Sequence, residues 1–334
     1  MNFNPQNILV IHFGQMGDVI LSLPALQAIR QKFPAARITI LLGKSSAVIA
    51  KLADVFDDEI IVDRVELRDG KKLRSINKIR RIVKEIRRRK FDFIIDLHSL
   101  SETNLLGFLS GARARLYANR ENRSLDFFGN FSPKPPLEDK TKHITERYLD
   151  VLKPLGIENV NRYAKIQPSA ETLAEIKKLL QDLGVEQKTL VGLFLGAGHK
   201  SRRWSVKKFA ELTRQLSENE DCRVLVFLGP EELDLLDEVN RIFPSNAIIF
   251  DKLKLLPLLA ATTFLRVLVS NDTGPMHLAA VAGASIVLIS DKRAPTCFFP
   301  LTEKLEVVKS DEIDKISVED VLRATRKFLD DENL

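Results

Sequence analysis

The sequence predicts an α/β protein of two doubly wound units joined by a linker, and three observations carry that prediction. Short β-branched apolar runs alternate with helical patterns along the whole chain. Those runs are near-continuously apolar instead of alternating, as in parallel strands covered on both faces. Each half also opens on the same plan, a strand running into a glycine-containing loop and then a helix: "VIHFGQMGDV" in the first and "FLGAGHKSRRWSV" in the second. The 334 residues are about twice a typical domain, which fits two such units.

In the first half "NILVIH" (7–12), "RITILL" (37–42), "EIIV" (59–62) and "DFIID" (92–96) read as buried strands, with the helical segments between them as crossovers. The first crossover starts at "FGQMGDVILSLPAL" (13–26), where Pro24 predicts a helix that begins late or is kinked near Ser22. A polar, proline-containing stretch covers 117–142, and the helical pattern "HITERYLDVLKPLG" then closes on Gly156. Residues 157–170 are loosely patterned and predict the linker, giving domains at 1–160 and 161–334. The rhythm restarts with five further strands, "TLVGLFL" (189–195), "RVLVFL" (223–228), "AIIF" (247–250), "RVLVS" (266–270) and "SIVLIS" (285–290). Ligands of such sheets bind outside the carboxyl ends of strands, so the loops there, and a cleft between the units, are where chemistry is expected.

Composition narrows the class. The apolar share is 45% and the charged share 29%, and no apolar run approaches the roughly 20 residues of a spanning helix, which excludes a membrane-embedded chain. The N-terminus lacks the pattern of a signal peptide, and Cys222 and Cys297 form no CxxC pair. Together these predict a cytoplasmic protein without a disulfide framework or a structural zinc site. Net charge is +6, concentrated in residues 71–90, where eleven basic side chains face one acid, Glu85. Leu73, Ile76, Ile79, Ile82, Val83 and Ile86 recur there at helical spacing. The stretch reads either as a solvated outer helix or as a surface for an anionic lipid or other acidic partner. Nucleic acid is disfavoured, because no aromatic platform is interleaved with the charge.

Three stretches can carry chemistry. Asp18 follows Gly14 and Gly17 directly after the first strand. It can start the helix by accepting amide hydrogen bonds, or stand as a carboxylate beside a ligand that the glycines admit. "GAGHKSRRWS" (196–205) puts His199, Lys200, Arg202 and Arg203 at a helix start, either as a phosphate site or as an exposed basic loop anchored by Trp204. In "SNDTGPMHLAAVAG" (270–283) Asn271, Asp272 and Thr273 can cap a helix that begins at Gly274 and Pro275. Amides at such a start can hold a phosphate, and His277, one turn in, is either a core histidine or part of that site. Hydrolase readings fail for want of a GxSxG elbow, an HExxH or paired histidines at ligand spacing. GxGxxG and a Tyr-xxx-Lys pair are also missing, which ranks an epimerase or dehydrogenase last.

Taken together, these stretches resemble glycosyltransferase family 9, the heptosyltransferases of lipopolysaccharide core assembly. The matching segments run over about residues 7–290: "ILVIHFGQMGDVILSLPALQAIRQKFP", "FDFIIDLHSL", "LSGARARLY", "HITERYLDVLKPLG", "LGAGHKSRRWSVKKFAEL" and "VSNDTGPMHLAAVAG". The resemblance implies a GT-B architecture of two Rossmann-like domains facing a cleft. The N-terminal domain would take the acceptor, a lipid A core-type sugar, and the C-terminal domain an ADP-heptose donor, with no metal or other cofactor. It further implies that Asp18 is the general base, with Gly14 and Gly17 in the acceptor-side loop. Arg202, Asp272, Thr273, Gly274, His277 and Glu231 would bind the donor. The basic helix at 71–90 would then meet anionic lipid at the inner membrane surface. The sequence departs from the family at "SDKRAPTCFFP" (290–300), at His12 and Phe13, and at Arg202 and Ser205, where lysine and proline are usual. Those departures keep open a binding protein for a nucleotide sugar or anionic glycolipid, and a transferase for another nucleotide sugar.

Overall fold

A computed structural model describes residues 3–63, 72–121, 125–218 and 221–331. The chain divides into two compact units, Met1–Ala164 and Lys165–Leu334.

The first unit is built on a five-stranded parallel sheet of β1 (Asn7–His12), β2 (Arg37–Gly43), β3 (Asp58–Val62), β4 (Phe93–Asp96) and β5 (Ala114–Tyr117), in the order β3-β2-β1-β4-β5. The chain winds outward one way from β1 and then crosses to β4, so the topological switch point lies between β1 and β4. β5, which "LSGARARLY" conceals, is an edge strand whose first residues are only half buried. Helix Met16–Lys32 follows β1 and is buried on nearly all sides from Val19 to Ile29. Its sequence is therefore apolar all round instead of striped. It starts at Met16 and runs on through Pro24, so the late start read from Pro24 does not occur. The backbone oxygens near the missing proline N–H find hydroxyls: Ser22 Oγ donates to Val19 O at 2.8 Å, and Thr145 Oγ1 donates to Leu21 O at 2.8 Å. That second bond docks helix Ile144–Leu152 on the first helix. Helix Lys72–Arg89 lays Ile82, Val83 and Ile86 against Leu9, Ile11, Leu41 and Ile94.

The second unit has six parallel strands, one more than the sequence reading separates: β6 (Thr189–Phe194), β7 (Cys222–Phe227), β8 (Ile248–Phe250), β9 (Val267–Asn271), β10 (Ser285–Asp291) and β11 (Leu305–Ser310). Their order, β11-β10-β9-β6-β7-β8, puts the switch point between β6 and β9. The core joins Val191, Leu193, Val224, Val226, Val269 and Ile289 to Trp204 and Phe209. Ile166 N–H donates to Val281 O at 3.0 Å, so the chain is tied into this unit almost as soon as it enters it. Among the described residues no helix is long and apolar enough to cross a membrane.

Candidate functional site

In the first unit the glycine loop lies at the switch point, where the backbones of the two central strands diverge and leave room for a ligand. Gly14 is required by packing, because a Cβ there would lie 2.4 Å from Asp18 Cβ and 2.6 Å from the His12 ring. Asp18 is the third residue of helix Met16–Lys32, and its Oδ2 accepts the Gln15 amide at 2.9 Å. The helix-start role is thus present, and the carboxylate is still half exposed. Gly17, the second helical residue, is also half exposed. His12 is fully buried, and its Nδ1 accepts the Gly14 amide at 3.2 Å, which in a neutral ring leaves the proton on Nε2. The His98 and Tyr148 rings meet His12 edge-on, with centroids at 5.2 and 5.1 Å. Burial, and after it the Asp18 charge, pushes the Tyr148 hydroxyl far up.

Across the switch point, Asp96 ends β4 with no exposed surface, and its Oδ1 accepts the Ser99 amide at 2.7 Å and the His98 amide at 3.1 Å. Ser99 sits in the left-handed region, with φ 45°. Burial raises the Asp96 carboxyl to about 7. Arg120 holds the turn by donating to the carbonyls of His98 and Ser99 at 2.8 and 2.7 Å. It also pairs with Glu138 at 3.0 Å, and Arg147 meets the same carboxylate at 2.5 Å. Burial works to raise Glu138, but these two guanidinium groups outweigh it and hold it below the usual range.

In the second unit, five of the six predicted donor residues lie at the other switch point or in the first turn of the helix that starts there: Arg202, Asp272, Thr273, Gly274 and His277. Arg202 closes a short 3-10 turn, Lys200–Arg202, and its Nη1 lies 3.0 Å from Asp272 Oδ2, just after β9. Burial raises the Asp272 carboxyl in spite of Arg202. The Gly198 amide donates to Asp272 O at 3.1 Å, and a Cβ at Gly198 would lie 3.2 Å from Arg202 Nη2. Thr273 is the N-cap of helix Gly274–Ala282, and its side chain makes no cap hydrogen bond. No carbonyl one turn back serves the Gly274 and Met276 amides, so they point out of the helix start. His277 is buried, 6% exposed, one turn into that helix. Asn271 fixes the whole corner: its Oδ1 accepts the Trp204 amide at 2.9 Å, and its Nδ2 donates to Leu195 O at 3.0 Å and Gly196 O at 3.2 Å.

A further acid beside this corner is Glu232, next to Gly196 and one residue from Glu231. Glu231 is exposed, whereas Glu232 is 5% exposed and accepts the Gly229 amide at 3.1 Å and Arg203 Nη2 at 3.3 Å. Burial raises it, against the Arg203 charge. A Cβ at Gly196 would lie 2.3 Å from Glu232 Oε1. The sequence reading also passed over the device that holds the basic loop. Arg293, in the divergent 290–300 segment, binds the buried Asp291 carboxylate through its guanidinium and donates to Ser201 O at 2.7 Å. The Arg293 hydrogen bonds lower Asp291, and Arg202 adds to the effect. The spacing of Asp291 and Arg293 is visible in the sequence, but their tie to Ser201, 92 residues away, is not. Among the described residues no group of three His, Cys, Asp or Glu side chains is placed to hold a metal ion.

Each corner therefore has a distinct chemical capacity. The first presents a carboxylate beside a backbone that glycine keeps open, and the second presents a cation and helix-start amides suited to a diphosphate. A family model described as glycosyltransferase family 9 (heptosyltransferase) matches residues 79–325, well over half the chain. A relative from Escherichia coli strain K12, lipopolysaccharide heptosyltransferase 3, is 23% identical and covers 94% of this chain and 95% of its own. Among solved structures, a family 9 glycosyl transferase from Veillonella parvula superposes with a TM-score of 0.86 at 24% identity, over 98% of each chain. An E. coli heptosyltransferase solved with ADP superposes with a TM-score of 0.79 at 17% identity, over 97% of this chain and all of its own.

Proposed function

The chain belongs to glycosyltransferase family 9, is a glycosyltransferase of GT-B fold, and from that premise we propose that it moves heptose from ADP-heptose to a lipopolysaccharide inner-core acceptor, with inversion and without a metal. The observation that carries the reading is the second switch point, where Arg202, held by Asp272, stands next to the helix start at Thr273 and Gly274. A cation and unserved amides at one place suit the diphosphate of a nucleotide sugar. The solved relative that contains ADP, and the relative named for lipopolysaccharide heptose transfer, support that donor and that acceptor class.

In this reading Asp18 takes the proton of the acceptor hydroxyl as that oxygen bonds to the anomeric carbon. The bond from that carbon to the diphosphate oxygen breaks with its electron pair leaving on ADP. Arg202 and the amides of Gly274 and Met276 stabilise the charge that appears there. One displacement from the face opposite the leaving group inverts the centre. His277 and Glu231 would border the nucleotide, and Gly14 and Gly17 would admit the acceptor beside Asp18. An expected cytoplasmic setting agrees with both substrates.

The test gives purified protein ADP-heptose and a truncated core acceptor, and reads product by mass spectrometry. The parent should transfer heptose, and Asp18→Asn, which keeps an acceptor for the Gln15 amide and so preserves the helix start, should lose about 100- to 10,000-fold in turnover. Turnover within a few-fold of the parent would remove Asp18 as the base. Tight donor binding without transfer to any core acceptor would replace the transferase reading with a binding protein, and transfer from another nucleotide sugar alone would replace the heptose.

A further inference from the structure

We propose that the first unit docks on an anionic bilayer surface through one composite face, formed by the cationic stripe of helix Lys72–Arg89 and an exposed aromatic cluster beside it. Arg80, Arg81, Lys84, Arg87 and Arg88 are exposed and recur at i, i+1, i+4, i+7 and i+8, a single face of the helix. The opposite face, Ile82, Val83 and Ile86, is spent on the core. Arg87 Nε donates to Leu109 O at 2.7 Å, which joins this stripe to the end of helix Ser101–Leu109. That neighbour turns Leu105 and Phe108 outward, 39% and 42% exposed. Phe108 stacks on Phe128 at 4.1 Å, and Phe127, 68% exposed, lies 4.5 Å from Phe128.

Exposed phenylalanines contiguous with a cationic helix match the chemistry of a headgroup boundary, where cations meet lipid phosphates and rings enter the acyl edge. A merely solvated helix explains the charge and leaves the rings unexplained. Nucleic acid fits less well, because one side of the Phe108 ring is taken by Phe128 and the Arg115 guanidinium lies 5.6 Å from its centroid, so Phe108 offers little open face to a base. Of the stripe, Glu85 binds Arg88, together with Arg89 beside it, and these two guanidinium groups hold its carboxyl low. Glu102 is the acid exposed on the neighbouring helix.

The inference deepens the acceptor side of the proposed function and rests on that reading for its purpose, but its test uses neither donor nor acceptor, so each can fail alone. Full-length protein is sedimented with vesicles of phosphatidylcholine, or of phosphatidylcholine with phosphatidylglycerol, at low and high salt. Binding should require the anionic lipid and weaken with salt. The triple variant Arg80→Gln, Arg81→Gln, Lys84→Gln should partition on the order of a hundredfold less well. Phe127→Ser should lose about tenfold at fixed salt. Both variants change exposed side chains, and unchanged thermal unfolding confirms that they fold. Equal binding to neutral vesicles, parental binding by either variant, or displacement of the protein from vesicles by an RNA oligonucleotide would overturn the proposal.

Discussion

A methyl group added at Gly196 would meet Glu232 Oε1 at 2.3 Å and the Phe194 ring at 2.7 Å, and Glu232 is pinned by Arg203 and the Gly229 amide. Gly196→Ala is therefore expected to lower stability by about 1–3 kcal/mol, read as a shift of the denaturant midpoint. Asp96 gives a pH signature. Its folded value of about 7 exceeds the usual carboxylate value, so between the two the native state keeps a proton that the unfolded chain has released. Stability contributed at this position thus falls as pH rises from about 4 to about 7 and is level above. Asp96→Asn, which retains an oxygen for the Ser99 amide, should gain in melting temperature over the parent between about pH 5 and about pH 8. An unchanged difference would mean that Asp96 is ionised throughout. Asp18 and Asp272 could be picked out in the sequence because glycine loops and capping residues flag strand-to-helix turns, whereas Arg202 is set apart from His199, Lys200 and Arg203 by the family resemblance alone. Glu231 and Glu232 could not be told apart, because only the direction of one 3-10 turn decides which carboxylate faces the core.

The loop 290–300 is an element whose sequence looks like a loss and whose structure shows a clamp. Arg293 neutralises Asp291, whose side chain has no exposed surface, and holds the carbonyl of Ser201. Arg293→Ala should leave a buried carboxylate without its main partner and loosen the turn that carries Arg202. The expected result is roughly tenfold weaker ADP binding by calorimetry, with Arg293→Lys recovering only part, since lysine lacks the fork that grips carboxylate and carbonyl together. Nine strands were legible because their runs are apolar on both faces. β5 and β11 were not, since Arg115 in the one and Glu306 and Lys309 in the other interrupt the apolar run. Pro24 misled as to the start: the helix begins at Met16 and runs through it, and one of the groups that bond beside it, Thr145, lies far along the chain.

At the scale of the molecule, the two sheets repeat one topological device with different cargo. Each brings its chemistry to the point where its strand order reverses, a carboxylate in the first unit and a cation with a helix start in the second. Saturating ADP should accordingly slow hydrogen exchange in residues 196–203, 229–232 and 272–278, and leave the 13–18 loop at its ligand-free rate. Protection centred on the first unit would reverse the assignment of donor and acceptor sides. The plan of two α/β units was readable from rhythm alone, whereas tertiary ties such as Arg293 to Ser201 were not, because nothing local announces them. One such tie also sets a clock. The Thr145 hydroxyl bonds to Leu21 O across 124 residues, so the helix that carries Asp18 cannot acquire its last partner until most of the first unit has left the ribosome. At ordinary synthesis speeds that is a wait of roughly 6–25 seconds. The amino-terminal corner is translated early and completed late, while the second unit has barely begun to be made.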